Sequence, residues 1–329
     1  MRSASPTSGV PAADSKTDRA VPIPQPTTRE FVIVHLGLLT VAMLWGGNFA
    51  AIKHLLETLT PVDVVVIRSV GAGVFYGIFL AATGRLIIPM TGPDARRMVF
   101  IGVLGIAIMS LAMAYGLNRL NAGLASLLVS SNPIFTAIIS RILLGERLTS
   151  RKVAGIVVAF VGFLLVLQFG SAGGARLESD QIVGVLIVLL APLSWAFYTV
   201  LSKPLLGRYQ PKYVASYTTM AGGTIFVPFL LFDGSLHDRM GELDAIDWVT
   251  VLYVSLLAIT VAYLLWYWGL RVLTPSQTAV YTYLVPVFGV LASWILLGEI
   301  PAIFALVGGV VIVAGVILAN TSGRRSKAE

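Results

Sequence analysis

Runs of about 20 apolar residues recur along nearly the whole chain, each long enough to cross a ~30 Å hydrocarbon layer as a helix. Inside such a layer every backbone N–H and C=O must find its partner within the segment or its neighbours, which selects helices for runs of this kind. Ten segments stand out, near residues 31–54, 62–83, 97–117, 121–144, 151–169, 181–203, 211–232, 247–270, 275–297 and 301–320. Only 12% of the residues are charged, about half the share of a soluble domain. The expected fold class is therefore an all-α polytopic membrane protein, and its first partner is the lipid bilayer.

Charge placement orients the segments. With the N-terminus in the cytoplasm, ten spans return the C-terminus to the same side. Of the 23 Lys and Arg, only Lys53, Arg119, Arg176 and Arg239 then fall on the far side, and Arg68 lies within a span. Such an excess of cytoplasmic cations is the pattern that positive charge imposes on membrane insertion. The basic balance is thus read as topology, and no nucleic-acid partner is expected. The chain has no Cys, which excludes disulfides and thiolate chemistry.

An internal repeat adds the architecture. The string "ILLGE" begins at Ile142 and again at Ile295. At the same offset Pro133 falls on Pro286, Phe135 on Phe288, Gly155 on Gly308 and Gly162 on Gly315. Nearer the N-terminus the offset is three residues smaller, and Trp45 falls on Trp195, Lys53 on Lys203, Pro61 on Pro211 and Gly73 on Gly223. A Leu-rich composition does not supply Trp, Lys, Pro and Gly in register, so the chain is a duplicated five-span unit. Five is odd, and a second copy of an odd unit enters the bilayer upside down. The expectation is two inverted five-helix repeats with a site at their interface near mid-membrane, an architecture of secondary transporters. The chain divides into a disordered cytoplasmic tail (1–30), a first repeat (31–169), a linker (170–180), a second repeat (181–320) and a cytoplasmic tail (321–329).

The stretches "LWGGNFAAIK" (44–53), "VIRSV" (66–70), "LLVSSNPIFTAIISRILLGERLT" (127–149) and "YLVPVFGVLASWILLGEI" (283–300) resemble the drug/metabolite transporter superfamily, in particular EamA-type ten-span bacterial permeases. The resemblance covers about 31–320. It implies a basket of helices in the bacterial inner membrane whose central cavity alternates access between the two sides. It also implies a small-molecule substrate, such as an amino acid, a sugar phosphate or a drug, and outward transport.

Several residues suit such a cavity. Arg68 is the one Lys or Arg deep inside a span, where a charge costs at least ~2.5–3.5 kcal/mol unless it is paired or wet. It either lines the cavity, ready for a substrate carboxylate or phosphate, or snorkels outward. Trp45 and Asn48 share one helix face, as do Trp195 and Tyr198 in the second copy. These four either grip an amphipathic metabolite or fill space between helices. Ser130 and Tyr283 sit near Pro133 and Pro286, where a Pro frees a carbonyl and permits a bend, and are read as substrate ligands or as packing. Glu146 and Glu299 close the two "ILLGE" strings at opposite membrane faces. Each is a gating or coupling carboxylate or a helix-end ion pair, with Arg147 and Arg151 near Glu146. The aromatic run "WYW" (266–268) reads as an interfacial belt, and the glycine pairs of spans five and ten read as packing surfaces.

An enzyme is not expected. His35, His54 and His237 form no evident cluster, and neither HExxH nor a phosphate-binding G-x-x-x-x-G-K is present. No catalytic residues, metal or cofactor are assigned. The reading is a secondary transporter that exports a small polar or amphipathic metabolite by alternating access, as a monomer or homodimer. A membrane-embedded lipid-acting enzyme and a metabolite-responsive receptor are the alternatives.

Overall fold

The computed structural model describes residues 27–83, 85–119, 128–129, 131–170, 182–289, 291 and 303–321. Among these the chain is helical, with no strand. The first copy contains α1 (Thr28–Leu55), α2 (Pro61–Ala82), α3 (Gly92–Gly102), α4 (Met109–Arg119), α5 (Asn132–Leu144) and α6 (Ser150–Gly170). The second contains α7 (Ile182–Ser202), α8 (Pro211–Thr224), α9 (Val227–Phe232), α10 (Gly234–Gly241), α11 (Ala245–Leu252), α12 (Ala262–Val272), α13 (Pro275–Ala279) and α14 (Ile303–Thr321). Five of the described helical stretches have the length and apolarity to cross a membrane: Thr28–Ile52, Pro61–Ala82, Gly92–Gly116, Val183–Gly207 and Ala245–Val272.

The starts of these helices are written in the sequence. Thr60 caps α2 through a reciprocal pair with Asp63, and Pro61 supplies a first turn that needs no N–H. Thr274, Pro275 and Gln277 repeat the device at α13. Asp244 and Asp247 do the same for α11. At the other end of α5, Gly145 turns left-handed with φ 66° and closes the helix, a conformation that glycine adopts without steric cost.

Two features depart from expectation. Span seven is interrupted after Thr224 and resumes as α9, because Pro228 has no N–H to return to the Thr224 carbonyl. The connection 233–246, expected as a loop, holds α10, whose start is capped by the Asp233 carboxylate on the N–H groups of Ser235 and Leu236.

Both copies carry a π-helical stretch at the same place. Val103–Ile108 joins α3 to α4, and Tyr253–Val261 joins α11 to α12. Where corresponding helices of the two copies touch, they run antiparallel. On α6 and α14, Gly155 lies on Ala319, Ala159 on Gly315, and Gly162 on Ile312. On α2 and α8, Ser69 meets Gly223 and Gly73 meets Met220. The glycines of spans five and ten thus face each other, and the close backbone approach that small residues permit is what holds the pair.

The polar connections gather at two ends. At one, Glu146 and Lys152 pair at 2.9 Å, and Arg208 bonds Asp94 at 3.0 Å. Lys203 there donates to the carbonyls of Leu270, Arg271 and Leu273, the last turn of α12. At the opposite end Arg239 holds Asp63 at 2.7 Å, and His54 lies 3.0 Å from Asp247.

Candidate functional site: a cavity between the repeats

A cavity of about 110 Å³ lies between the two copies. The first copy contributes Trp45 and Asn48 from α1, Arg68 from α2, Met109 and Met113 from α4, and Asn132 from α5. The second contributes Pro192 and Trp195 from α7, Tyr263 from α12, and Thr282 and Pro286 from span nine. Four residues expected from sequence, Trp45, Asn48, Arg68 and Trp195, therefore come together in one lining.

Its polar chemistry is sparse. Arg68 is only 6% exposed, and its Nε has no hydrogen-bond partner among the described residues. The same holds for Asn48 Oδ1 and Trp195 Nε1. Among the described residues the lining has no carboxylate to neutralise Arg68. A buried cation without a counter-ion is costly, and an anionic ligand offsets that cost. The apolar walls include aromatic faces, Pro192 and Pro286, and the two methionines, which lie one turn apart on α4. Thioether chains adapt to irregular apolar shapes. The cavity thus offers one cation, a few directed donors and acceptors, and an accommodating apolar wall.

The two indoles also pack on each other. Trp45 and Trp195 meet edge to face at 5.2 Å, and Tyr263 and Trp266 complete the cluster at 5.1 Å from Trp195 and 5.2 Å from Trp45. They fill the space between copies and line the cavity at once.

Other expected residues lie elsewhere. Tyr198 is fully buried, stacked on Trp195 at 4.8 Å and placed outside the lining. Tyr283 is buried against Phe160 and Phe163, with centroids 6.1 Å away in each case. Ser130 and Glu299 lie outside the described residues. Glu146 sits away from the cavity, at the polar end near α13. Lys152 donates to it, as do the hydroxyls of Ser140 at 2.5 Å and Ser276. Burial pushes its pKa up, but these donors outweigh burial and hold the carboxyl below its ordinary value. The ion-pair partner is thus Lys152 rather than Arg147 or Arg151, because α6 starts at Ser150 and its first turn aims Lys152 back at Glu146. Two residues of the "WYW" run do not form a belt: Trp266 and Tyr267 are both 0% exposed, and only Trp268 is part-exposed. Tyr267 bonds Ser202 at 3.0 Å and, with Tyr198, occupies the space between the cavity and the Glu146 end.

The sequence profile of the EamA-like transporter family matches residues 32–168 and again 182–321. The chain belongs to this family. It carries two EamA copies and is a membrane transporter of the drug/metabolite transporter superfamily. An uncharacterized transporter of Archaeoglobus fulgidus is 28% identical over 83% of this chain and 94% of its own length. Uncharacterized transporter YdfC of Bacillus subtilis is 29% identical over 83% and 86%. A protein of Streptantibioticus cattleyicolor named "Probable terminal-alkyne amino-acid exporter" is 30% identical over 88% and 95%. One crystal structure superposes with a TM-score of 0.74 at 20% identity, over 90% of this chain and 99% of the other, and shares the fold.

Sequence reasoning did not select Asn132, Met109, Met113, Pro192 or Tyr263 for this EamA-like cavity. Asn132 had a signal, since it directly precedes Pro133 in "SSNP". Pro192 had one too, as a proline one turn before Trp195. The methionines carried none, because on an apolar helix nothing in one sequence separates a cavity wall from a lipid-facing wall.

Proposed function

We propose that this EamA-like transporter exports a small amphipathic carboxylate, such as an amino acid, by alternating access around the cavity between its repeats. Ten spans, as two inverted five-helix repeats with both termini in the cytoplasm of a bacterial inner membrane, carry the motion. The antiparallel contact of α6 with α14 and of α2 with α8 supports this arrangement. The observation that carries the substrate reading is Arg68: a buried guanidinium whose Nε has no partner among the described residues, lining a cavity that is otherwise mainly apolar, with Asn48, Asn132 and Thr282 as its neutral polar groups. A carboxylate meets Arg68, an ammonium meets Asn48 Oδ1 and the indole faces, and an apolar side chain meets Met109 and Met113. The relative named as an amino-acid exporter points the same way. Ser130 is read as a further ligand, and Glu146 and Glu299 as gating carboxylates at the two ends, whereas Tyr198 and Tyr283 pack behind the cavity wall.

Arg68→Ala tests it. In proteoliposomes loaded with a panel of amino acids, transport is expected to fall at least a hundredfold while membrane yield and thermal unfolding stay near wild type. A folded Arg68→Ala protein with full transport removes the anion-binding role.

A further inference from the structure

The two copies give the cavity walls of different chemistry. Asn48 and Asn132 come from the first copy, as does Arg68, while the second copy adds Thr282. The Thr282 hydroxyl is already engaged, donating to the Ala279 carbonyl at 2.8 Å. Repeat register shows what the second copy holds in place of the first copy's three: Tyr198 for Asn48, Thr218 for Arg68 and Val285 for Asn132. Tyr198 and Thr218 meet each other outside the lining, with their oxygens 3.5 Å apart. Thr218 donates onward to the Val214 carbonyl at 2.7 Å. Val285 does line the cavity, with an isopropyl group. The second copy thus offers mostly rings and apolar carbon, and the first copy the wall that can receive a polar head.

On that wall Asn132 is held in one orientation. It lies in the first turn of α5 and is only 3% exposed. Thr136 follows one turn later on the same face, fully buried. A buried hydroxyl needs an acceptor, and Thr136 Oγ1 donates to Asn132 Oδ1 at 2.8 Å. A primary amide carries one acceptor atom and one donor atom. With Oδ1 tied back to Thr136, the Nδ2 hydrogens are the part of Asn132 left for a ligand.

We propose that Asn132 Nδ2 is the second donor to the substrate carboxylate, that Thr136 positions it, and that the pair makes the cavity select a carboxylate over the matching carboxamide. The inference rests on the carboxylate reading of Arg68 and deepens it. One carboxylate oxygen meets Arg68 and the other meets Asn132, both through charge-assisted bonds. A carboxamide that gives its oxygen to Arg68 turns its own NH2 toward Nδ2, donor against donor. A site built on directed polar groups rejects a ligand that leaves them unpaired.

Isovalerate and isovaleramide test this, because they share a shape and lack the ammonium that Asn48 would read. Binding to the purified protein is followed by indole fluorescence, with thermal unfolding as the check on folding. The wild type is expected to bind isovalerate more tightly. Asn132→Leu should lose about tenfold for isovalerate and leave isovaleramide within about twofold, the effect of one hydrogen bond to a charged group. Asn132→Asp keeps an acceptor for Thr136, serves if the leucine variant fails to fold, and should reverse the preference. Thr136→Val should weaken isovalerate about threefold by freeing the side-chain amide to turn, and Thr136→Ser should restore it. A merely structural role for Thr136 would move both probes alike. A wild type that does not distinguish the pair, by binding both equally or neither, overturns the proposal, as do folded Asn132 variants that shift both probes equally. Two outcomes separate this inference from the reading beneath it. Full isovalerate binding by Arg68→Ala removes the carboxylate reading and this inference with it. Loss in Arg68→Ala, with the preference unmoved in the Asn132 variants, removes the role of Asn132 alone.

Discussion

At the scale of single residues, the most economical structure is around Glu146. One carboxylate gathers the Lys152 ammonium and two hydroxyls, one from its own copy and one from the other, Ser276. Both charged side chains are nearly inaccessible, so each depends on the other for compensation. Glu146→Gln leaves Lys152 buried without its counter-charge and is expected to cost about 3 kcal/mol in thermal unfolding of the purified protein. Glu146→Gln combined with Lys152→Met should recover much of that loss. The pH dependence has a definite sign. A carboxyl whose folded pKa lies below its ordinary 4.5 contributes its full stability above that value, and loses it as the pH falls through the folded pKa. The wild-type melting temperature should therefore be insensitive to this group at neutral pH and fall under strongly acid conditions, and Glu146→Gln should flatten that acid limb. The position of Glu146 was legible in the sequence from "ILLGE"; its partner was not. Arg147 and Arg151 are nearer in sequence, and only the geometry of the turn into α6 selects Lys152.

At the scale of elements, the glycine seam between α6 and α14 decides how closely the copies approach. A Cβ on Gly155 would fall 2.5 Å from the backbone nitrogen of Ala319, and one on Gly162 would fall 2.6 Å from that of Ile312. Backbone cannot move aside as a side chain can. Gly155→Leu or Gly162→Leu is therefore expected to cost about 1–3 kcal/mol by overpacking. Gly241→Ala, where nothing lies within 4 Å, should stay within about 0.5 kcal/mol. A Gly155→Leu protein as stable as the control would show that the seam does not hold the helices. The seven-residue spacing of these glycines marked a packing face in each copy. That the two faces meet each other follows from the antiparallel approach, which no local pattern encodes. The same limit explains "WYW": its place near a span end suggests an interface, whereas the crossing of α12 with α7 takes Trp266 and Tyr267 into the interior.

At the scale of the whole molecule, the two polar ends and the central cavity fit a device that opens at one end at a time. In this conformation the Glu146 end is closed by cross-copy bonds from Lys152 and Glu146 to the α13 region, and within the second copy Lys203 ties the end of α7 to the last carbonyls of α12. Single cysteines at Ser276 and at His54 report the two ends. Addition of a transported amino acid is expected to change their labelling in opposite directions, and labelling that stays constant at both would count against alternating access.

By itself the sequence determined the membrane class, the duplication and the family. These rest on apolar run length, residue register and motif, which are local or periodic and survive without knowledge of contacts. It also marked Arg68, because a lone cation deep in an apolar run is conspicuous whatever surrounds it. Tertiary structure alone decided which of Trp45, Asn48, Trp195, Tyr198 and Tyr283 share a cavity. Asn48 and Tyr198 are repeat counterparts, yet Asn48 lines the cavity while Tyr198 packs over Gly105 in the core, because the neighbouring helices, and not the register of the repeat, decide which surface stays open.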